Sequence, residues 1–313
     1  MLNAFFCLLP HECIISIKGV DSKKFLQGQL TCNLDYLSPD NASLAACCTS
    51  KGRMISSFRV LEVETNHYLL VLDRNLFDKQ LNEFKKYAIF SKVVFEEANQ
   101  YWSRIGLEAS LHTLSFLNMT IPEETNQVSR KEQQLLIKIS ENRFELWIQS
   151  NRLQQVLEVF QKNMVEQPLN NWLLGQIQAG IGQVFLETTE KFVPQMINLQ
   201  SLGGVSFKKG CYIGQEIVAR MQYLGKLKQH LYRFTTDLKE LPCKGTALYS
   251  NVHPTSVGEV VLSAITSDNK IELLAVVRDD AAIADLWLEG KPDSLLQSLP
   301  LPYTINYDEE IKH

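Results

Sequence analysis

Cys13-Ile14-Ile15-Ser16-Ile17-Lys18-Gly19-Val20-Asp21-Ser22-Lys23-Lys24-Phe25-Leu26-Gln27-Gly28-Gln29-Leu30 changes its hydrophobic period part-way along. Up to Lys18 the residues alternate as on a half-buried strand; Gly19 breaks the run. Asp21 is then placed to cap a helix whose apolar face carries Phe25, Leu26 and Leu30. A βα unit therefore opens the fold. Downstream, residues 42–72 are β-branched and apolar, with Lys51-Gly52 and Thr65-Asn66-His67 as turns, which reads as an antiparallel meander. Leu76, Phe77, Leu81, Phe84 and Tyr87 follow at helical spacing, so a helix lies on that sheet.

The same two periods recur further on. Strands are expected at 135–139 and 144–149 around the Glu141-Asn142 turn, then an amphipathic helix over 153–160. Pro168 opens a helix carrying Leu169, Trp172, Leu173 and Ile177, and Gly180 stops it. The polar stretch 121–134, with Pro122, reads as a surface connection. Residues 183–214 are rich in Gly, Pro, Asn and Gln with little periodicity, and a long ordered loop of this kind tends to be functional. After Gly225 short strands at 230–235, 246–249, 258–262 and 271–277 suggest a small C-terminal β-barrel, dividing the chain at 1–224 and 225–313.

A chain of 313 residues exceeds what one core usually serves, and 45% apolar with 21% charged residues is ordinary globular composition. A net charge of −4 excludes a protein whose whole surface clings to nucleic acid or anionic lipid. The apolar start, Met1 to Pro10, lacks a basic flank and is broken by His11 and Glu12, so neither a secretion signal nor a membrane span is expected, and the protein reads as soluble and cytoplasmic. Its seven cysteines are odd in number and show no Cys-x-x-Cys spacing, so neither a disulfide scaffold nor a metal site is expected.

One segment concentrates the chemistry: Phe207-Lys208-Lys209-Gly210-Cys211-Tyr212-Ile213-Gly214-Gln215-Glu216-Ile217-Val218-Ala219-Arg220. Gly210 and Gly214 bracket Cys211 in a tight turn, and a helix with a Glu216–Arg220 pair is expected from Gln215. A helix N-terminus and the adjacent Lys208 and Lys209 would favour the thiolate and lower the Cys211 pKa. Cysteine is also among the most buried residue types, so a packing role competes with this one, and Cys13, Cys32, Cys47 and Cys48 read as core. Between residues 204 and 233, Lys208, Lys209, Arg220, Lys226, Lys228, Arg233 and His230 face a single acid, Glu216. Such a zone suits a polycarboxylate, a phosphate or an RNA backbone, or is simply a solvated loop. Trp172 and Gln178 on one helix, with Asn198, Gln200 and Tyr212 on the loop, supply the aromatic surface and fixed amides that a flat heteroaromatic ligand needs.

The run Asn198-Leu199-Gln200-Ser201-Leu202-Gly203-Gly204-Val205-Ser206-Phe207-Lys208-Lys209-Gly210-Cys211-Tyr212-Ile213-Gly214-Gln215-Glu216 resembles the K-G-C-Y-x-G-Q-E signature of the YgfZ family. Residues 24–30, 85–93 and 195–200 and the ending Leu301-Pro302-Tyr303 also match, so the resemblance spans the chain. It implies an α+β fold: two intertwined α/β subdomains of the aminomethyltransferase folate-binding type plus a C-terminal β-barrel, around an opening that takes tetrahydrofolate or a derivative. It further implies maintenance of iron–sulfur enzymes, with those enzymes or their assembly factors as partners, and an indirect link to tRNA modification.

Carried over residue by residue, the resemblance makes Cys211 the functional thiol, Lys209 its companion and Trp172 a folate contact. Gln178 stands where relatives have Glu, exchanging a carboxylate for an amide. Glu12 stands where a second folate-contacting tryptophan is expected and cannot stack. Arg220 completes the expected folate-binding set. Where aminomethyltransferases place a catalytic aspartate, this chain has Ser56 and Ser57, neither a general base without an activating partner. A non-metabolic folate-binding factor is therefore the leading expectation, ahead of a folate-dependent one-carbon transferase and a tRNA-binding module.

Overall fold

The structure, a computed structural model, describes residues 4–223 and 227–305. Strands Glu12–Lys18, Ala42–Cys48, Met54–Glu64, His67–Asp73 and Val94–Glu97 form a five-stranded sheet in the spatial order 42–48, 54–64, 67–73, 12–18, 94–97. The opening βα unit and the meander expected from the sequence are both in it. One face buries Ile15, Ile17, Phe58, Leu70 and Leu72 with Phe25 and Leu26 of helix α1 (Ser22–Gln29) and Phe84 of helix α2 (Phe77–Tyr87). Asp21 does not cap α1 through its side chain: its carboxylate accepts instead from the backbone N–H of Lys92 at 2.7 Å, tying the helix start to the edge strand.

A six-stranded sheet runs 165–166, 5–8, 102–108, 143–149, 134–140, 128–131. Its strand Phe5–Leu8 precedes the five-stranded sheet in the chain, and the other strands follow it, so the two α/β units are intertwined. Phe6, Phe144, Leu146 and Ile148 pack under helix α3 (Leu153–Asn163) through Phe160. The opposite face meets the five-stranded sheet, burying Ile137, Ile139 and Trp147 against Ile14, Leu61 and Val71. The stretch 121–134, expected as a surface connection, contains strand Val128–Lys131, paired along Gln134–Ser140. Its polar outward residues hide the alternation, while Val128 is buried.

Seven strands form the C-terminal sheet in the order 291–295, 286–288, 247–250, 258–265, 271–278, 229–236, 297–299. Its two edge strands are separated in sequence by Leu296 alone, so the edges are drawn together and the sheet is a nearly closed barrel. Phe234, Leu248, Val260, Leu273 and Leu286 fill it, whereas Val261, Leu262, Leu274 and Val276 join the core of the five-stranded sheet. Helix α4 (Leu169–Gln178) packs on strand Gly258–Ile265, where Asn170 makes two bonds to the Ile265 backbone, at 2.8 and 2.9 Å. The loop 183–214 carries three short 3-10 turns and ends at helix α5 (Gln215–Tyr223). The expected boundary at 224–225 and Lys226 lie outside the described residues. Among the described residues no helix is long and apolar enough to cross a membrane.

Candidate functional site

Charged side chains line a cavity between the two α/β sheets and α4. The strands explain why. Along Arg143–Gln149, Phe144, Leu146 and Ile148 face α3, so strict alternation turns Arg143, Glu145 and Trp147 inward. On the neighbouring strand Trp102–Glu108, Ile105 and Leu107 face α3, and Arg104, Gly106 and Glu108 fall on the inner face. The five-stranded sheet contributes Glu12, Ser57 and Arg59, α4 contributes Trp172 and Gln176, and the loop contributes Gln183 and Leu199.

These buried charges are paired. Arg104 donates from Nε and Nη2 to Glu145 Oε2 at 3.2 and 2.8 Å and from Nη1 to Glu12 Oε2 at 2.7 Å. Gln183 donates to the other Glu12 oxygen at 2.8 Å, and Trp147 Nε1 donates to Glu145 at 3.2 Å. Burial alone would raise the Glu12 pKa, but the charges of Arg104 and His11, with bonds from Arg104 and Gln183, hold it down at about 2. Glu12, which cannot replace a stacking tryptophan, is thus the acidic end of an ion network on the cavity wall.

Trp172 is buried on this wall. The Arg143 guanidinium carbon lies 3.9 Å from its ring centroid, and Arg143 Nη2 donates to the Trp172 carbonyl at 2.7 Å. Two glycines make the room: a Cβ on Gly106 would stand 2.6 Å from the indole, and one on Gly175 would stand 2.6 Å from Arg143 Nε. Ser57 lines the cavity and accepts from the Val184 N–H at 2.8 Å. Ser56, one residue earlier, points to the other face and is fully buried.

The Cys211 turn is a different kind of place. Cys211 is exposed, four positions before α5, and the turn packs on the 49–53 hairpin. Gly214 has φ +82°, and a Cβ there would come 2.4 Å from the Thr49 carbonyl; Gly210 has open space around it. Lys209 does not accompany the thiol. Its buried Nζ donates to the carbonyls of Leu30 and Cys32 at 2.8 and 2.7 Å, satisfying groups just past the end of α1, and burial lowers its pKa to about 8.

Of the six residues expected around a flat ligand, the cavity brings in Trp172 alone. Gln178 is exposed at the end of α4, 3.4 Å from Glu272 of the barrel, because two residues turn a helix side chain to its far side; Gln176 lines the cavity instead. Asn198, at φ +56°, donates to the Leu231 carbonyl and the Tyr303 hydroxyl at 3.1 and 3.4 Å, fastening the loop to the barrel and the C-terminal segment. Gln200 and Tyr212 are buried in the loop with Gln200 Oε1 and the Tyr212 hydroxyl unpartnered. Arg220 is exposed and pairs with Glu216 at 3.3 Å, as the spacing predicts.

The basic zone is not one surface. Arg233 is bound to Glu272 at 2.6 Å, His230 to Asp279 at 2.7 Å, and Lys209 is internal, which leaves Lys208, Lys228 and the Glu216-paired Arg220 as exposed members among the described residues. Arg59, Arg104, Arg143 and Glu145, which dominate the cavity, escape a reading that treats Arg and Glu as surface residues. The period-two inward placement of Arg143, Glu145 and Trp147 is the signal that could have revealed them.

No family model matches the chain. It is 33% identical to the tRNA-modifying protein YgfZ of Yersinia pestis (strain Pestoides F) over 96% of this chain and 93% of that protein. The same figures hold for YgfZ of Yersinia pseudotuberculosis serotype O:3 (strain YPIII). Among solved structures, the glycine cleavage system aminomethyltransferase T of Bartonella henselae superposes with a TM-score of 0.73 at 12% identity, covering 98% of this chain and 87% of that one. That likeness is one of fold.

Proposed function

Because this chain belongs to the YgfZ family, we propose that it is a cytoplasmic folate-binding factor in tRNA modification and in the upkeep of the iron–sulfur enzymes on which such modification depends. A reduced folate, tetrahydrofolate or a derivative, occupies the inter-sheet cavity, and Cys211 acts at the surface on a partner protein. The observation that carries this reading is the cavity itself. It presents an indole, several guanidinium groups and two amides, a donor set suited to a pteridine with its ring nitrogens and oxo group. Trp172, Gln176 and Gln183 are the residues that would hold the ring.

Cys211 is one exposed thiol and cannot ligate a cluster alone, since clusters generally take four protein ligands, so its contact with an iron–sulfur partner is transient or shared. Contact with tRNA is indirect, because the basic residues near the signature are largely engaged within the protein. A one-carbon transferase is less well supported. Ser57 stands in the cavity without a neighbouring free base, and Glu12, held near 2, is a poor proton acceptor at neutral pH. Isothermal titration with 5-formyltetrahydrofolate tests the first half: micromolar binding is expected, and absence of heat and of any thermal shift rejects it. Cys211→Ala should fail to complement a deletion strain while folding normally; full complementation removes the role given to the thiol.

A further inference from the structure

Within the cavity one cation differs from the rest. Arg104 spends its donors on Glu12 and Glu145, and Arg59 donates to Asn126 at 2.7 Å with Glu145 4.0 Å away. Arg143 is 5% exposed, lines the cavity, and makes one hydrogen bond, from Nη2 to the Trp172 carbonyl. Its Nε and Nη1 are buried with no hydrogen-bond partner. The carboxylate of Glu108 stands 3.8 Å from Nε, outside hydrogen-bond reach. Burial pulls the Arg143 pKa down to about 10, so the group remains a cation at neutral pH.

Leaving donors of a buried cation unmet is costly, and the fold has been cut to keep this one in place. Gly175 interrupts the interior of α4, a position where glycine weakens a helix by roughly 1 kcal/mol relative to alanine. A side chain there would collide with the guanidinium, its Cβ lying 2.6 Å from Nε and 3.0 Å from Cζ.

We infer that Arg143 is the residue by which the cavity reads its ligand, donating from Nη1 to an acceptor on the ligand's ring, the oxo group of a pteridine, alongside the indole of Trp172. The inference rests on the folate reading and deepens it: affinity is set by a guanidinium donor fixed beside Trp172. An ammonium at this position supplies charge without the flat face that lies on the indole or a donor whose direction the Nη2 bond fixes.

The test is calorimetry on the full chain with 5-formyltetrahydrofolate, then with the fragments pterin and p-aminobenzoylglutamate. Arg143→Gln and Arg143→Lys should each weaken the folate and the pterin by at least roughly tenfold, the scale of a lost charge-assisted hydrogen bond, and leave p-aminobenzoylglutamate unchanged. Unaltered folate affinity in a folded Arg143→Gln overturns the inference and leaves the folate reading standing. A loss confined to p-aminobenzoylglutamate overturns the ring assignment. No binding by the wild type overturns the folate reading and this inference with it. Should both variants fail to fold, the wild type decides: folic acid should bind at least tenfold more tightly than its 4-amino-4-deoxy analogue, whose amino group replaces the oxo acceptor, and equal affinity contradicts the assignment.

Discussion

The inter-sheet cavity and the Cys211 turn are built on opposite plans. The cavity is a buried cluster of fixed charges, with Arg104 bridging two carboxylates and Arg143 held against Trp172. The turn is a thin surface feature whose stability comes from the Gly214 contact and from a lysine turned inward. A preorganised interior of this kind suits recognition of a small molecule, whereas an exposed thiol on an anchored loop suits a reaction with something large. The comparison predicts that mutations divide accordingly: changes in the cavity wall affect folding and ligand together, and changes at the tip of the turn affect neither.

The largest effect should come from breaking the cavity network. Arg104→Met strands Glu12 and Glu145 in the interior and should cost about 3–5 kcal/mol in urea unfolding. A loss below about 1 kcal/mol would mean the network is solvated. Next comes the anchor of the turn: Lys209→Met removes two charge-assisted bonds to carbonyls and should cost about 2 kcal/mol, although it lies beside the functional segment. An unchanged unfolding midpoint would return Lys209 to a chemical role.

The glycines sharpen the contrast within the turn itself. Gly214→Ala, with φ +82° and Thr49 in the way, should destabilise by about 1–3 kcal/mol. Gly210→Ala and Cys211→Ala should stay within about 0.5 kcal/mol of wild type in thermal melts. A large loss in either of the last two would show that the tip is structural.

The two regions also differ in which protons they govern. Glu12 has a folded pKa near 2, below its unfolded value, so its stabilisation is present above pH 4.5 and lost as pH falls toward 2. Glu12→Gln should flatten that part of the acid transition. On the alkaline side burial raises Cys7, Cys13 and Cys47 to about 12 and Cys32 to about 11, so their contribution is complete below pH 9 and is lost on rising through the folded values. Lys209, depressed to about 8, works in the opposite sense between pH 8 and 10.5, but it is one group against four. The melting temperature should therefore fall from pH 8 to 10.5 under reducing conditions; a rise would contradict the burial of these thiols.

Much of the fold was legible because its periods are plain. The βα unit, the meander, α4 and the main barrel strands follow the alternation of apolar residues, and Gly52, Asn66 and Gly180 adopt the positive φ that their turn positions imply. Strand Trp102–Glu108 was not legible, since its inward residues are Arg104, Gly106 and Glu108, and charge on a buried face resembles a loop. The site divided in the same manner. Trp172, the exposed Cys211 and the start of α5 could be read from local pattern. The destination of Lys209 and the outward turn of Gln178 depend on which distant element lies opposite, α1 in one case and the barrel in the other.

The most direct measurement is a crystal structure of the protein grown with 5-formyltetrahydrofolate. The account requires the pteridine between the two α/β sheets, in contact with Trp172 and Arg143, and Cys211 still open to solvent. A ligand seated elsewhere, with the cavity holding only water, would contradict it.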